Sequence, residues 1–425
     1  VAALALCAML AAGCRPTAPQ DDRTHLEFWT LSLKPTYTPY VDGLRSEYER
    51  ENPGTAVAWL DLPEKVLMQK LLAVLAGGGT PPDLVNLGGG EATTLAQNNA
   101  ILATDDLVDE ATRRQYFPQL WNAVRWNDKS FAIPWYVSVR VLMYNKSLFR
   151  AAGLDAAKPP QSWDDMESVA RAVRKTGNYG FLPVIRILED WQMDGLPILD
   201  VSRTHARFAT PEHAARLAWY ARLYQEDLIP PETLTGKYSE AVRRYKSGTL
   251  AVLDSGPQFL LTIRQDAPDI YAVTGVAPLW RGKANIEPAS VMYFVVPRAS
   301  AHPREAARLG TWLTNAANQL AFCKLVPLLP STVEAAKDPF FQHGHGTQPL
   351  DDEAIRISIA QLPYARDMTL GVPHAEKLGQ VLEDAVERTI YGEPGHRRTR
   401  EQLAQDALTN LQRAQAEWNR LLSEP

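Results

Sequence analysis

Short runs that alternate apolar and polar residues recur along the chain, each followed by a stretch with apolar residues at helical spacing. Leu26-Glu-Phe-Trp-Thr30 alternates as a strand does. From Pro39 to Arg50, Val41, Leu44 and Tyr48 recur three to four residues apart, and Asn52-Pro53-Gly54 predicts where that helix stops. Thr55 to Leu60 reads as a second strand. Pro63 to Ala76 puts Leu67, Leu71, Val74 and Leu75 on one helical face and runs into Gly77-Gly78-Gly79. Asp83-Leu-Val-Asn-Leu87 is a third strand, after which Glu91 opens another helix. This β-then-α order predicts a parallel sheet with helices on both faces, and such sheets seat ligands at the carboxyl ends of their strands.

A second series follows. Ser162-Trp-Asp-Asp165 predicts a capped helix start, with that helix ending near Gly177. Thr210-Pro211-Glu212 predicts another, with Leu217, Tyr220 and Tyr224 turned inward. Strand-like runs lie at Thr249 to Leu253 and Val291 to Val296, and long amphipathic helices are expected at Glu376 to Tyr391 and Thr399 to Leu422. No internal repeat or low-complexity stretch interrupts them, so two α/β lobes are expected.

Length and charge narrow the classes. The 425 residues suffice for two or three domains at roughly 150 residues each. With 44 Lys and Arg against 49 Asp and Glu, the net charge is −5, which provides no basic field for a nucleic-acid partner. Beyond the first dozen residues no stretch approaches the ~20 apolar residues of a spanning helix.

The beginning of the chain carries its own signal. Val1 to Ala12 is apolar throughout and ends in Ala12-Gly13-Cys14, which reads as the apolar core of a secretion signal and a small-residue cleavage site. Residues 1–13 resemble a bacterial lipoprotein signal, which implies that Cys14 is the lipid attachment point. The polar, proline-rich segment that follows makes 14–23 a tether between a membrane anchor and the folded body. Of the other cysteines, Cys7 lies in the leader and Cys323 stands alone, so the mature chain is expected to rely on apolar cores without an internal disulfide.

Several strings taken together resemble the family 1 extracellular solute-binding proteins, the maltose-binding-protein type. These are Ala76-Gly-Gly-Gly-Thr-Pro-Pro-Asp-Leu-Val85 with Gly88-Gly-Gly-Glu91, and Phe131-Ala-Ile-Pro-Trp-Tyr136 leading into Tyr144-Asn-Lys-Ser-Leu-Phe149 and Pro159-Pro-Gln-Ser-Trp163. Lys246-Ser-Gly-Thr-Leu-Ala-Val252 with Gly256-Pro257, and Leu329-Pro-Ser-Thr332, extend the resemblance over nearly the whole mature chain. It implies a two-lobed periplasmic-binding-protein fold, each lobe a mostly parallel sheet flanked by helices, with a cleft and hinge between them. It also implies an exported, non-enzymatic monomer, lipid-anchored at the cell membrane, that needs no cofactor and delivers a sugar or oligosaccharide to the permease of an ABC importer. The expected lobes are 24–137 with 291–330, and 138–290 with 331–425. Crossings are expected near 136–140, 288–292 and 329–332.

A pyranose offers apolar C–H faces to aromatic rings and hydroxyls to polar side chains. Trp163, Trp219, Trp312 and Trp418 lie in helical patterns and are expected to pack in cores or on helix surfaces. Trp29 and Trp135 end strands, and Trp191 and Trp280 are expected in loops, so these four are ligand candidates as well as possible core caps. Gly90 and Glu91 follow the glycines at a helix start, where the carboxylate either meets ligand or satisfies the helix dipole. Asp61 after the second strand, Tyr136 and Arg140 beside the first crossing, Gly256 and Gln258 on the turn after the Leu250 strand, and Arg366 complete the set.

Competing chemistries find less support. No G-x-S-x-G elbow, HExxH helix or Walker loop occurs, and His343-Gly-His345 lacks further ligands nearby for a metal. A secreted glycoside-active enzyme with distant carboxylates remains the alternative from another class. A polyol phosphate such as glycerol 3-phosphate, held by Arg140, Arg281 or Arg366, is the alternative within the same fold.

Overall fold

The computed structural model describes residues 21–392 and 396–424; the leader, Cys14 and most of the tether lie outside the described residues. In chain order the elements that frame the site are strands β1 (Thr24–Leu31), β2 (Thr55–Leu62), β3 (Leu84–Gly88), β4 (Ile133–Val139), β5 (Val141–Asn145), β6 (Tyr179–Phe181), β7 (Leu250–Ser255), β8 (Thr274–Pro278), β9 (Glu287–Val295), β10 (Leu329–Pro330) and β11 (Ala365–Asp367). The principal helices are α1 (Thr38–Glu51), α2 (Glu64–Ala73), α3 (Gly89–Gln97), α4 (Trp163–Arg174), α5 (Ile187–Met193), α6 (Pro211–Gln225), α7 (Pro349–Gln361), α8 (Ala375–Tyr391) and α9 (Arg400–Leu422).

Local sequence explains most of these. In α1 the predicted stripe Val41, Leu44 and Tyr48 is the buried one. The Ser162 hydroxyl caps α4 by accepting the Asp165 amide at 3.1 Å, and α9 opens with a full capping box between Thr399 and Gln402. After α2 the chain widens into one looser turn, Val74–Gly78, in which Gly77 takes φ +98, a conformation that costs a side-chain-bearing residue far more than glycine.

The larger sheet runs β10-β4-β9-β3-β1-β2, with β11 also beside β9; the smaller runs β8-β5-β7-β6. Strands β1, β2 and β3 pair in parallel, as their helical connections require. The strands that carry the chain from one lobe to the other arrive from the opposite direction: β9 is antiparallel to both β3 and β4, and β5 is antiparallel to β7 and β8. Each sheet is therefore mixed.

Two crossings lie side by side. Strand β4 leaves the first lobe at Val139 and becomes β5 at Val141, while β8 ends at Pro278 and β9 re-enters at Glu287, with Ala289 opposite Val139. The expected third crossing at 329–332 is not one. Leu329 and Pro330 pair with β4, and the Ser331 hydroxyl donates to the Pro134 carbonyl, so the chain stays in the first lobe. The expected assignment of 331–425 wholly to the second lobe is corrected accordingly: Phe340 and Phe341 join the first lobe's core and β11 pairs with β9. Between them α7 packs on β8 and β5 of the second lobe, and after β11 the chain goes back there, with α8 and α9 packed on α6. Leu329-Pro-Ser-Thr332 is too short and too well paired to be told from a crossing by pattern alone.

A candidate ligand cleft between the lobes

Between the lobes lies a cleft of about 790 Å³, within the roughly 300–1,000 Å³ usual for small-molecule sites. The first lobe supplies its floor from strand ends: Gly88 and Gly89 at the end of β3, Ala289 to Met292 on β9, and Asp367 to Thr369 at the end of β11. The second lobe supplies Val184 to Glu189, leading from β6 into α5, then Thr233 and Leu234, and the face of α8 bearing Gly379, Leu382, Glu383, Val386 and Glu387. Strand ends leave backbone groups and loop side chains free to meet a ligand.

Chemically this wall is acidic. Among the described lining residues Glu189, Asp367, Glu383 and Glu387 bring carboxylates and Arg186 a guanidinium, with Glu189 itself bonded to Arg140. Asp367 is fixed by the Tyr293 hydroxyl, which donates at 3.1 Å, and by the Thr369 amide at 2.9 Å. It sits so close to the Gly89 backbone that a Cβ there would lie 2.3 Å from its Oδ2. Gly379 is the opposite case, since a Cβ added to it meets nothing within 4 Å.

Behind the cleft, at the ends of β5, β6 and β7, a smaller chamber of about 60 Å³ shares Val184, Arg186 and Glu189 with it. Arg140 occupies its hinge side, bonded to Glu189 at 2.7 Å and paired with Asp254 at 3.3 Å. Burial pulls the Arg140 guanidinium down, but Asp254 and Glu189 more than offset it and hold it above its ordinary value. On the far side Asp190 accepts from the Tyr220 hydroxyl at 2.8 Å. Its carboxyl is pushed up to about 6, mainly by burial, with Arg216 pulling the other way.

The sequence candidates separate sharply. Arg140 is at the hinge as expected, and Glu91 stands in the first turn of α3 with its Oε2 against Gly88, although Gly88 and Gly89, not Gly90 or Glu91, face the cleft. Trp29 is 1% exposed inside the first lobe, its Nε1 donating to Glu27. Trp135, at 3%, stacks between Phe294 (4.8 Å) and Phe322 (5.3 Å). Tyr136 packs edge-on against Trp135, with its phenol pushed up to about 12 by burial. Trp191 is in helix α5 instead of a loop; it is fully buried, stacked on Phe208, and its Nε1 donates to the His213 carbonyl. A strand-end or loop position predicted from pattern says nothing about which face the ring takes, and these indoles turn inward.

The remaining candidates lie elsewhere. Asp61 holds the loop after β1, accepting from the Thr30 hydroxyl and the Leu33 and Lys34 amides. Trp280 meets Trp163 edge-on at 4.6 Å and lines the inner chamber and an outer groove, not the cleft. The Gln258 side chain folds over Gly256, and the Arg366 guanidinium donates to the Ala365 and Pro363 carbonyls. His345 packs on Phe340, and among the described residues no group of three His, Cys, Asp or Glu could hold a metal. Nor is any described helix long and apolar enough to cross a membrane.

Arg186, Glu189, Asp367, Glu383 and Glu387 were not anticipated. The rule that singled out Trp29, a residue at a strand's carboxyl end, would have found Asp367 had it been applied to the short strand β11, whereas Arg186 lies in the loop beyond β6.

Comparison with known proteins agrees with this geometry. The family model described as bacterial extracellular solute-binding protein matches residues 32–320. A structure from Synechococcus sp. MITs9220, titled a "putative oligosaccharide periplasmic-binding protein", superposes with a TM-score of 0.81 at 31% identity, covering 94% of this chain and 99% of the other. A cyclic alpha-maltosyl-1,6-maltose binding protein from Arthrobacter globiformis shares the fold, with a TM-score of 0.76 at 17% identity over 93% of this chain and all of the other. The sn-glycerol-3-phosphate-binding periplasmic protein UgpB of Escherichia coli is 25% identical over 289 residues, 63% of this chain and 64% of its own length.

Proposed function

Because the chain belongs to the bacterial extracellular solute-binding proteins, we propose that it captures a sugar or oligosaccharide in the inter-lobe cleft and delivers it to the permease of an ABC importer. The observation that carries this is the cleft itself, a ligand-sized space whose walls come from both lobes, beside two adjacent crossings about which they can swing. Closure would remove water from around the ligand and strengthen each hydrogen bond made to it. A ligand drives closure only as far as it prefers the closed state.

Within this reading Glu189, Asp367, Glu383, Glu387 and Arg186 receive the hydroxyls, together with the backbone of Gly88 and Gly89, while Arg140 organises the hinge side. Carboxylates are strong acceptors for sugar hydroxyls. The oligosaccharide name of the Synechococcus relative supports the same class. Export, and anchoring through Cys14 as a lipid-bearing monomer, complete the proposal; they rest on the leader pattern and on the extracellular character of the family.

A second reading, a polyol phosphate, is favoured by the UgpB relative and by Arg186 and Arg140. Asp367 and Glu387 on the cleft wall weigh against a dianion. Thermal-shift measurements on the leaderless protein with maltose, maltotriose, other oligosaccharides and sn-glycerol 3-phosphate decide between them. A ligand at a hundred times its Kd stabilises by about 2.7 kcal/mol, so a saccharide should raise the melting temperature. A rise with the phosphate ester alone would replace the first reading by the second, and cleavage of a saccharide would overturn both.

A further inference from the structure

At the two adjacent crossings one ionisable group stands apart. Glu287, the first residue of β9, has no exposed surface, and neither of its carboxylate oxygens has a hydrogen-bond partner of ordinary geometry. Arg140 is the residue between β4 and β5, just beyond the Val139–Ala289 pair, so the two sit where the antiparallel pairing of the crossings ends. The Arg140 Nε likewise lacks a hydrogen bond, as does Asp254 Oδ1. A carboxylate so poorly partnered in a dry interior is costly, and such a group stays protonated until the pH is high.

The surroundings are set by every element packed on this point. Strand β7 brings Asp254, α5 brings Glu189 and the segment before it Arg186, and the loop after β8 brings Arg281. From β11, Ala365 pairs with Glu287 while Arg366 and Asp367 follow, Arg366 bonded within its own segment and Asp367 to the Thr369 amide and the Tyr293 hydroxyl. Helix α7 ends here as well. Gln361 donates to the Arg140 carbonyl and accepts the Leu279 amide, tying the two crossings together, and the Arg281 guanidinium lies 3.6 Å over the Tyr364 ring.

We propose that Glu287 and Arg140 form a positioning pair at the hinge that sets how readily the lobes close, and that charging Glu287 draws the Arg140 guanidinium away from Glu189 and Asp254. The inference rests on the hinge reading of the two crossings. Glu189 also lines the cleft, so the state of the hinge reaches the ligand through the same bond that Arg140 releases. Loss of the Glu287 proton to water leaves a buried anion whose strongest available partner is that guanidinium. Burial is the main reason the Glu287 carboxyl is pushed up to about 9; the Arg140 charge and backbone amide and the Arg281 charge pull against it, and Asp254 adds to it.

The test needs no ligand, so its failure leaves the carbohydrate reading standing. Small-angle scattering of the wild type from about pH 7 to about pH 10.5 should show a change in radius of gyration with a one-proton midpoint near 9. Glu287→Gln should keep its neutral-pH dimensions across the range. Each unit by which the Glu287 midpoint differs between open and closed forms changes their ratio about tenfold. Carboxyl NMR of the wild type gives a reading independent of the variant's folding: one glutamate should titrate near 9, and Arg140→Gln should move it higher. A wild-type profile flat in pH, a Glu287→Gln profile identical to it, or no glutamate titrating above the ordinary range would each overturn the proposal.

Discussion

The aromatic stack inside the first lobe and the wall of the cleft make opposite use of their side chains. Trp135, Phe294 and Phe322 lie face to face with almost no exposed surface, whereas the cleft wall is built from glycines, aliphatic residues and carboxylates and has no aromatic ring among its described lining residues. The large rings give the lobe rigidity, because stacked and buried aromatics contribute both area and specific geometry. The cleft instead offers acceptors to something that brings its own hydroxyls. A high tryptophan content therefore does not by itself mark a stacking site.

Substitutions on either side can break this contrast. The largest effect is expected for Trp135→Ala, which should cost about 3–5 kcal/mol of stability, as a buried Trp does when truncated. Chemical denaturation would show it, with affinity nearly unchanged in protein that remains folded; normal stability with lost binding would return Trp135 to the site. Next, Gly379→Trp places an indole in open cleft space and should weaken saccharide binding by about a hundredfold, near 2.7 kcal/mol, while leaving the melting temperature of the ligand-free protein in place. Calorimetric titration checks it, and undiminished affinity would move the ligand off that wall.

Smaller effects test how buried and half-buried carboxylates support each lobe. Asp61→Ala leaves two backbone amides and a hydroxyl without their acceptor and should cost about 1–3 kcal/mol, with little change in affinity. The least effect at neutral pH belongs to Asp190→Asn. The folded-state pKa of Asp190 lies above its unfolded value, so the native state binds more protons between about 4 and about 6. Its stabilising contribution is present in full below that window and declines as pH rises through it. The asparagine variant should lack that decline in denaturation curves measured across the window, and an unchanged slope would assign it to another group.

Much was legible in the chain because it is local. The spacing of Val41, Leu44 and Tyr48, the Ser162 cap and the glycine run after α2 are fixed by neighbours a few residues away, and the order of strands and helices along the first hundred residues is enough to specify a parallel sheet. The place of Arg140 beside a crossing was implied by the family resemblance of the strings around it and by no local period. Trp29, Trp135 and Trp191 were misplaced for a physical reason: period alone puts a ring on a strand or helix but does not say whether the facing layer is protein or water.

The sequence by itself determined the two α/β lobes, their capped helices and the membership of the family, because those depend on periodicity and on strings of adjacent residues. Only the tertiary structure decided that β11 returns to the first lobe, that Asp367 meets Gly89, and that Glu287 is enclosed beside Arg140. Each of these depends on segments many residues apart in the chain coming into contact, and a one-dimensional pattern carries no record of which distant layer will cover a given side chain.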